Sequence, residues 1–135
     1  MSTPVGAVWF YDVSDEARPR YLSHVSASQL EREARLVLPA DPNEPAADTL
    51  VAQGSCTAHH GRLIPVADGD VLAMSFYGAG VIVIDFADLR NEGPHYPTVV
   101  ARYRGAGANV WETWYYNGYL YTGDLGRGMD VLRIT

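Results

Sequence analysis

The run Gly80-Val81-Ile82-Val83-Ile84-Asp85-Phe86 gives the clearest indication of the fold of this chain. It holds four consecutive β-branched residues, which favour extended backbone, between a glycine and an aspartate of the kind found in turns. A strand this apolar is expected where both faces of a sheet are covered. The stretch therefore predicts a short central strand in a sheet that lies between two other layers.

The pattern around this strand recurs when the sequence is shifted by 48 positions. The matched pairs are Gly78 with Gly126, Gly80 with Gly128, Leu72 with Leu120, Val83 with Val131 and Ile84 with Leu132. A weaker third copy runs from Val8 to Asp15 and repeats the spacing of Asp85 and Asp88. Periods of about 40 to 50 residues are typical of β-propeller blades. We therefore expect an all-β partial β-propeller of about two four-stranded antiparallel blades, with a helix-containing insertion.

Turn signals divide the chain into strands. Asn117-Gly118 is the strongest of them, because both residues adopt positive φ easily and aromatic runs flank the pair. Two equivalent hairpins are predicted, one joining 70–76 to 80–86 and one joining 119–123 to 128–134. The predicted strands are 7–13, 20–25, 58–65, 70–77, 80–86, 98–104, 109–116, 119–123 and 128–134.

The repeat groups these strands into a single partial β-propeller domain over residues 1–135. Residues 1–26 would supply the outer strands of one blade, 54–105 a full blade, and 106–135 three strands of a last blade. Residues 27–53 exceed the period and are predicted to be an insertion loop with a short helix. Ser28 and Glu31 have the spacing of a helix capping box, and three prolines follow.

The run 80–88 and the copy Val8–Asp15 resemble the LVIVD repeat, which is named for a strand of this kind ending in Asp. The aromatic segment 111–122 with 128–133 is similar to the last blade of proteins with this repeat. Such proteins are bacterial or archaeal and are secreted or lie at the cell surface. The resemblance implies a C-terminal fragment of a β-propeller with an extracellular or cell-surface location, and it implies no catalytic residue. Arg133 departs from the repeat, because it stands where Asp85 stands.

Charge and cysteine content exclude several classes of protein. The chain has 135 residues, a net charge of -6 and no lysine. Phosphate contacts need clustered basic side chains, so no nucleic-acid partner is expected. The single cysteine, Cys56, makes no internal disulfide framework. No apolar run approaches the roughly 20 residues of a membrane-spanning helix, and the first residues lack a signal-peptide pattern.

Cys56, His59 and His60 form the cluster that suggests chemistry most directly. Cysteine and histidine suit copper or zinc, so one of these metals would be the cofactor of a metal centre here. Adjacent strand residues point to opposite faces, so only one histidine is expected in a given site. Glu112 lies 52 residues after His60, at an equivalent blade position. His60 and Glu112 are predicted to lie close together, as a general acid/base pair would.

Arg62, Trp111 and Trp114 are the candidate ligand-binding residues. Aromatic rings offer large stacking surfaces and would hold a ligand such as a sugar. The simpler interpretation is that the aromatic residues fill the space between blades, while the polar residues line a channel.

Three functional hypotheses remain at this point. The first, which we favour, is a non-catalytic binding or interaction module of a surface or secreted β-propeller. The second is a metal-dependent enzyme with a channel site at Cys56, His59, His60 and Glu112, and the third is a truncated gene product with no independent function. Nine strands are too few to close a propeller ring. The expected partners are therefore the remaining blades, or further copies that associate through exposed blade faces.

Overall fold

The computed structural model describes residues 6–26, 57–66, 69–91 and 96–134. These residues form nine strands in three antiparallel sheets, so the all-β prediction is confirmed. The first sheet contains β1 (Val8–Asp12) and β2 (Arg20–Val25). The second contains β3 (Gly61–Val66), β4 (Gly69–Ser75), β5 (Val81–Asp85) and β6 (Thr98–Tyr103), and the third contains β7 (Val110–Tyr116), β8 (Tyr119–Asp124) and β9 (Gly128–Arg133). A single 3-10 turn, Ala87–Arg90, follows β5 in the described part of the chain.

The predicted insertion, residues 27–53, lies outside the described residues, and so does Cys56. Within the described ranges, no helix is long and apolar enough to cross a membrane.

Both predicted hairpins are present, and their strands pair in the same register. In the second sheet Leu72 lies opposite Ile84, and in the third sheet Leu120 lies opposite Leu132. Each residue of the second pair follows its counterpart by 48 positions. The same offset relates every pair of the β4–β5 ladder to a pair of the β8–β9 ladder. The internal repeat therefore exists in the backbone pairing as well as in the sequence.

The first sheet repeats the second half of the second sheet. Its β1–β2 ladder has a β-bulge between Phe10 and Tyr11, and the β5–β6 ladder has one between Val83 and Ile84. The bulge follows the third paired residue in both ladders. The strand-end aspartates also match, because Asp12 and Asp85 each accept a hydrogen bond of 2.9 Å from the amide two residues later. β1 is thus the counterpart of β5, and β2 is the counterpart of β6.

The turns that enter β5 and β9 share one backbone requirement. Gly80 has a φ of 82° and Gly128 has a φ of 95°, in the region that favours glycine. The predicted Asn117-Gly118 hairpin is confirmed, since φ is 47° at Asn117 and 84° at Gly118. Positive φ at both central residues is the property of the turn that matches the right-handed twist of the strands.

The second sheet is covered on both faces. On one face, Ile82 and Ile84 pack with Val25, Phe76 and Ala79 in a core shared with the first sheet. On the other face, Val81 and Val83 belong to a core shared with the third sheet. That core also contains Ile64, Ala73, Val110 and Leu120. Successive residues of β5 point to opposite faces, so this strand contributes to both cores.

Candidate functional site

The second and third sheets meet along the edges formed by β3 and β7. Tyr77, just after β4, forms an isolated antiparallel bridge with Val110, with N–H···O distances of 3.1 and 3.0 Å. Deeper in the junction, the hydroxyls of Ser75 and Thr113 lie 3.3 Å apart and are buried. These contacts fix the edges of the two sheets against each other. Side chains near the start of β3 and β7 consequently share one surface, which we call the edge cluster: His59, His60, Arg62, Trp111, Glu112 and Trp114.

One part of the edge cluster is built around His59. Its Nδ1 lies 2.8 Å from the backbone carbonyl oxygen of Trp111. The centroid of its ring lies 4.2 Å from that of Trp111 and 4.9 Å from that of Tyr77. This packing orients the imidazole against the third sheet.

His60 lies beside His59, contrary to the expectation that only one of the two histidines joins a site. Their ring centroids are 4.3 Å apart, and the rings are perpendicular. The reason lies in the backbone pairing just before β3. The His59 N–H donates to the carbonyl oxygen of Ser75 and the His60 carbonyl oxygen accepts from the Ser75 N–H, so two consecutive residues pair with one and the regular alternation is interrupted. His60 also lies 6.2 Å from the Trp111 ring and is exposed.

The other part of the edge cluster is built around Arg62. Its guanidinium carbon lies 4.0 Å above the centre of the Trp114 ring. Its Nη2 lies 3.5 Å from Oε1 of Glu112, and both side chains are about two-fifths exposed. Glu112 therefore contacts Arg62, whereas His60 contacts His59 and Trp111. An exposed pair of this kind stabilises the fold little, because solvent screens it.

The two histidines of the edge cluster are candidate ligands in the metal hypothesis. Residues 6–26, 57–66, 69–91 and 96–134 contain no group of three or more His, Cys, Asp or Glu side chains placed to hold a metal ion. The two histidines come together, and the described rings beside them are those of Tyr77 and Trp111.

Asp124, at the end of β8, was not singled out by the sequence patterns. Its side chain is almost wholly buried and accepts hydrogen bonds from the amides of Asn109, Gly126 and Arg127, at 2.8 to 2.9 Å. Burial raises the pKa of this carboxyl, but the three amides and the charge of Arg127 outweigh it, and the net pKa is lowered. The signal for this role was an aspartate directly before the turn residues Leu125 and Gly126.

The outer face of the third sheet is largely exposed and carries apolar and aromatic side chains. We call Tyr119, Tyr121, Met129 and Val131 the third-sheet patch. Pairing places Tyr121 opposite Val131, and both side chains point away from the face that Leu120 and Leu132 bury. The 48-residue offset relates the patch to Val71, Ala73, Val81 and Val83. Ala73, Val81 and Val83 are buried in the core between the second and third sheets, and Val71 packs against that core.

Exposure differs sharply between these equivalent positions. Met129 is 66% exposed and Val131 is 50% exposed, whereas Val81 is 1% exposed and Val83 is 9% exposed. The third-sheet patch is thus the counterpart of a surface that the next sheet covers within this chain.

The first sheet has the complementary exposed face. We call Trp9, Tyr11 and Tyr21 the first-sheet patch, and their rings touch, with centroids 5.8 Å apart in both the Trp9–Tyr21 and Tyr11–Tyr21 pairs. Trp9 and Tyr11 are the counterparts of Ile82 and Ile84, which the preceding sheet covers. Tyr11 is 50% exposed, whereas Ile84 is fully buried.

Comparisons of the chain with protein-family models, with curated proteins and with solved structures find no match.

Proposed function

We propose that this protein is a non-catalytic interaction module, built as a segment of a β-propeller, which binds partner β-sheets through the exposed faces at the two ends of its stack. The observation that carries the proposal is the equivalence of exposed and buried positions. Met129 and Val131 repeat Val81 and Val83, yet the first pair is exposed and the second is buried. Contiguous exposed apolar surface on a soluble protein commonly marks an interaction site.

The order of the sheets supports the β-propeller architecture. Wherever the described residues allow the comparison, counterparts of Ile84 face the preceding sheet and counterparts of Val83 face the next sheet. Stacking of this kind, one sheet upon the next with a constant polarity, is the arrangement of propeller blades. The resemblance to the LVIVD repeat adds support, and with it we propose a secreted or cell-surface location.

The edge cluster favours binding over catalysis as well. Its acid, Glu112, contacts Arg62, and its histidines contact aromatic rings. The guanidinium of Arg62 instead stacks on the Trp114 ring, and this partly exposed pair is of the kind that supports ligand recognition. The enzyme hypothesis would need a metal or an acid/base pair, and no described contact favours either.

A dye-binding experiment tests the proposal. Anilinonaphthalene sulfonate fluoresces on exposed apolar surface, and it should bind the native chain at a dilution where sedimentation shows a monomer. Val131→Glu places a charge in the third-sheet patch and should remove the part of the enhancement that this patch contributes, while the first-sheet patch still binds the dye. Leu125→Glu alters an exposed residue in the β8–β9 turn, outside both patches, and should not. Equal fluorescence of all three monomers, or none from the native chain, would contradict the proposal.

A further inference from the structure

The three described sheets form a stack with two different ends. One end is the third-sheet patch and the other is the first-sheet patch. Inside the chain, two interfaces already pair a counterpart of the third-sheet patch on one sheet with a counterpart of the first-sheet patch on the next sheet. They are the core between the first and second sheets, and the core between the second and third.

The third-sheet patch and the first-sheet patch are therefore counterparts of two sheet faces that pack against each other inside the chain. Val83 and Ile84 show this most simply. Val83 faces the next sheet and Ile84 faces the preceding one, and their exposed counterparts are Val131 at one end of the chain and Tyr11 at the other.

We infer that the third-sheet patch of one copy of this chain binds the first-sheet patch of a second copy, head to tail, so that the stack continues from one molecule into the next. This inference rests on the proposed function and names its partner. The occupant follows from continuity with the two interfaces inside the chain, because a sheet that presents counterparts of Ile82 and Ile84 is what covers Val81 and Val83 in the stack. Trp9 and Tyr11 on a second copy provide such a sheet.

A head-to-tail contact leaves one free patch of each kind, so association continues until a ring closes. Three described sheets from each of two copies make six. This lies within the range of about four to eight blades in closed propellers. The geometry thus points to a closed ring of two copies, in which both patches of each copy are covered.

Charge substitutions in the two patches test the pairing. Val131→Glu should abolish the third-sheet patch and leave the first-sheet patch intact, and Tyr11→Glu should do the reverse. A charge buried without a partner costs several kcal/mol, which weakens self-association by more than about 100-fold. By sedimentation at micromolar concentration, the native chain and Leu125→Glu should be dimers, and each patch variant alone should be a monomer.

Mixing the two variants provides the decisive measurement. An equimolar mixture of Val131→Glu and Tyr11→Glu should form a heterodimer, because one intact patch of each kind remains. Circular dichroism and cooperative thermal unfolding establish that each variant is folded. Met129→Glu and Trp9→Glu serve as the second pair if either of the first two fails to fold.

Four outcomes would overturn the inference. A native chain that stays monomeric shows that a second copy is not the partner, although the proposed function survives if that monomer binds the dye. Patch variants that remain dimeric show that association uses another surface. Loss of the dimer in only one of the two variants shows a symmetric contact between like patches. A mixture that stays monomeric has the same consequence for the head-to-tail arrangement.

Discussion

Two aspartates make the stability of this protein sensitive to acid. The amide of Ser14, and next the guanidinium of Arg20, lower the pKa of Asp12 from 3.8 to about 2. The pKa of Asp124 is also lowered, by three amides and Arg127 acting against burial. A folded-state pKa below the unfolded value means that the charged form stabilises the fold above about pH 4. This contribution is lost as the pH falls, and for Asp12 it is lost on the way to about pH 2.

We therefore expect the melting temperature to hold down to about pH 4 and to fall from there to about pH 2. Asp12→Asn and Asp124→Asn should each make the decrease in melting temperature between about pH 4 and about pH 2 smaller, because the amide side chain does not titrate. Asp88→Asn, at an exposed position, is the control and should leave the profile unchanged. A melting temperature that rises on acidification would contradict the assignment.

A pair of threonines opposite each other in the third sheet allows a second test at this scale. Thr113 and Thr122 are both fully buried and lie in register. The Thr113 hydroxyl has a partner in Ser75, whereas Oγ1 of Thr122 has no hydrogen-bond partner among the described residues. Thr113→Val should cost about 1 kcal/mol, but Thr122→Val should be neutral or stabilising, because an unsatisfied buried hydroxyl is itself unfavourable. Urea unfolding of the two variants measures the difference, and an equal loss in both would contradict it.

At the scale of the elements, the repeated glycine turn makes different demands in its two copies. Gly80 and Gly128 both have positive φ, but their surroundings differ. A Cβ atom on Gly80 would collide with the carbonyl oxygen of Tyr103, whereas a Cβ atom on Gly128 would meet open space. The turn before β5 is therefore enclosed by β6, and the turn before β9 is open.

Replacing Gly80 and Gly128 separately by alanine should distinguish the stability cost of backbone strain from the stability cost of a collision. Gly128→Ala should cost about 1–2 kcal/mol, from the positive φ alone. Gly80→Ala should cost more than about 3 kcal/mol, because the collision is with backbone that cannot rotate away. Denaturant unfolding of both variants gives the comparison. A Gly128→Ala variant as destabilised as Gly80→Ala would show that the third-sheet turn is also covered.

The second sheet joins the two cores of the described fold. Ile82 lies in the core toward the first sheet, and Leu120 lies in the core toward the third. Because β5 contributes alternate residues to both cores, loss of either should destabilise the entire described fold.

Ile82→Ala and Leu120→Ala should each lower the free energy of unfolding by about 2–5 kcal/mol. Each should also shift a single cooperative transition that near-ultraviolet and far-ultraviolet circular dichroism report identically. Leu125→Ala, at an exposed turn position, should change stability by less than about 0.5 kcal/mol. Two separate transitions would show that the sheets unfold independently.

The strands, their turns and the repeat were predictable from the sequence. β-branched runs, Asn117-Gly118 and the paired glycines at 80 and 128 act locally, so their effect on the backbone is visible in a short window of residues. The 48-residue offset was visible because equivalent strands need similar residues at the same positions, and the pairing registers repeat it.

The contacts within the edge cluster depend on how the second and third sheets pack, and they could not be predicted from the sequence. The sequence placed His60 and Glu112 at equivalent positions, but Glu112 contacts Arg62, and Trp111 contacts His59. β7 has a bulge between Val110 and Glu112, which breaks the alternation that would otherwise assign side chains to faces. His59 and His60 both pair with Ser75 through backbone hydrogen bonds, which interrupts the alternation there as well. Where local periodicity is interrupted, the direction of a side chain depends on the sheet packed against it, and only long-range packing determines that.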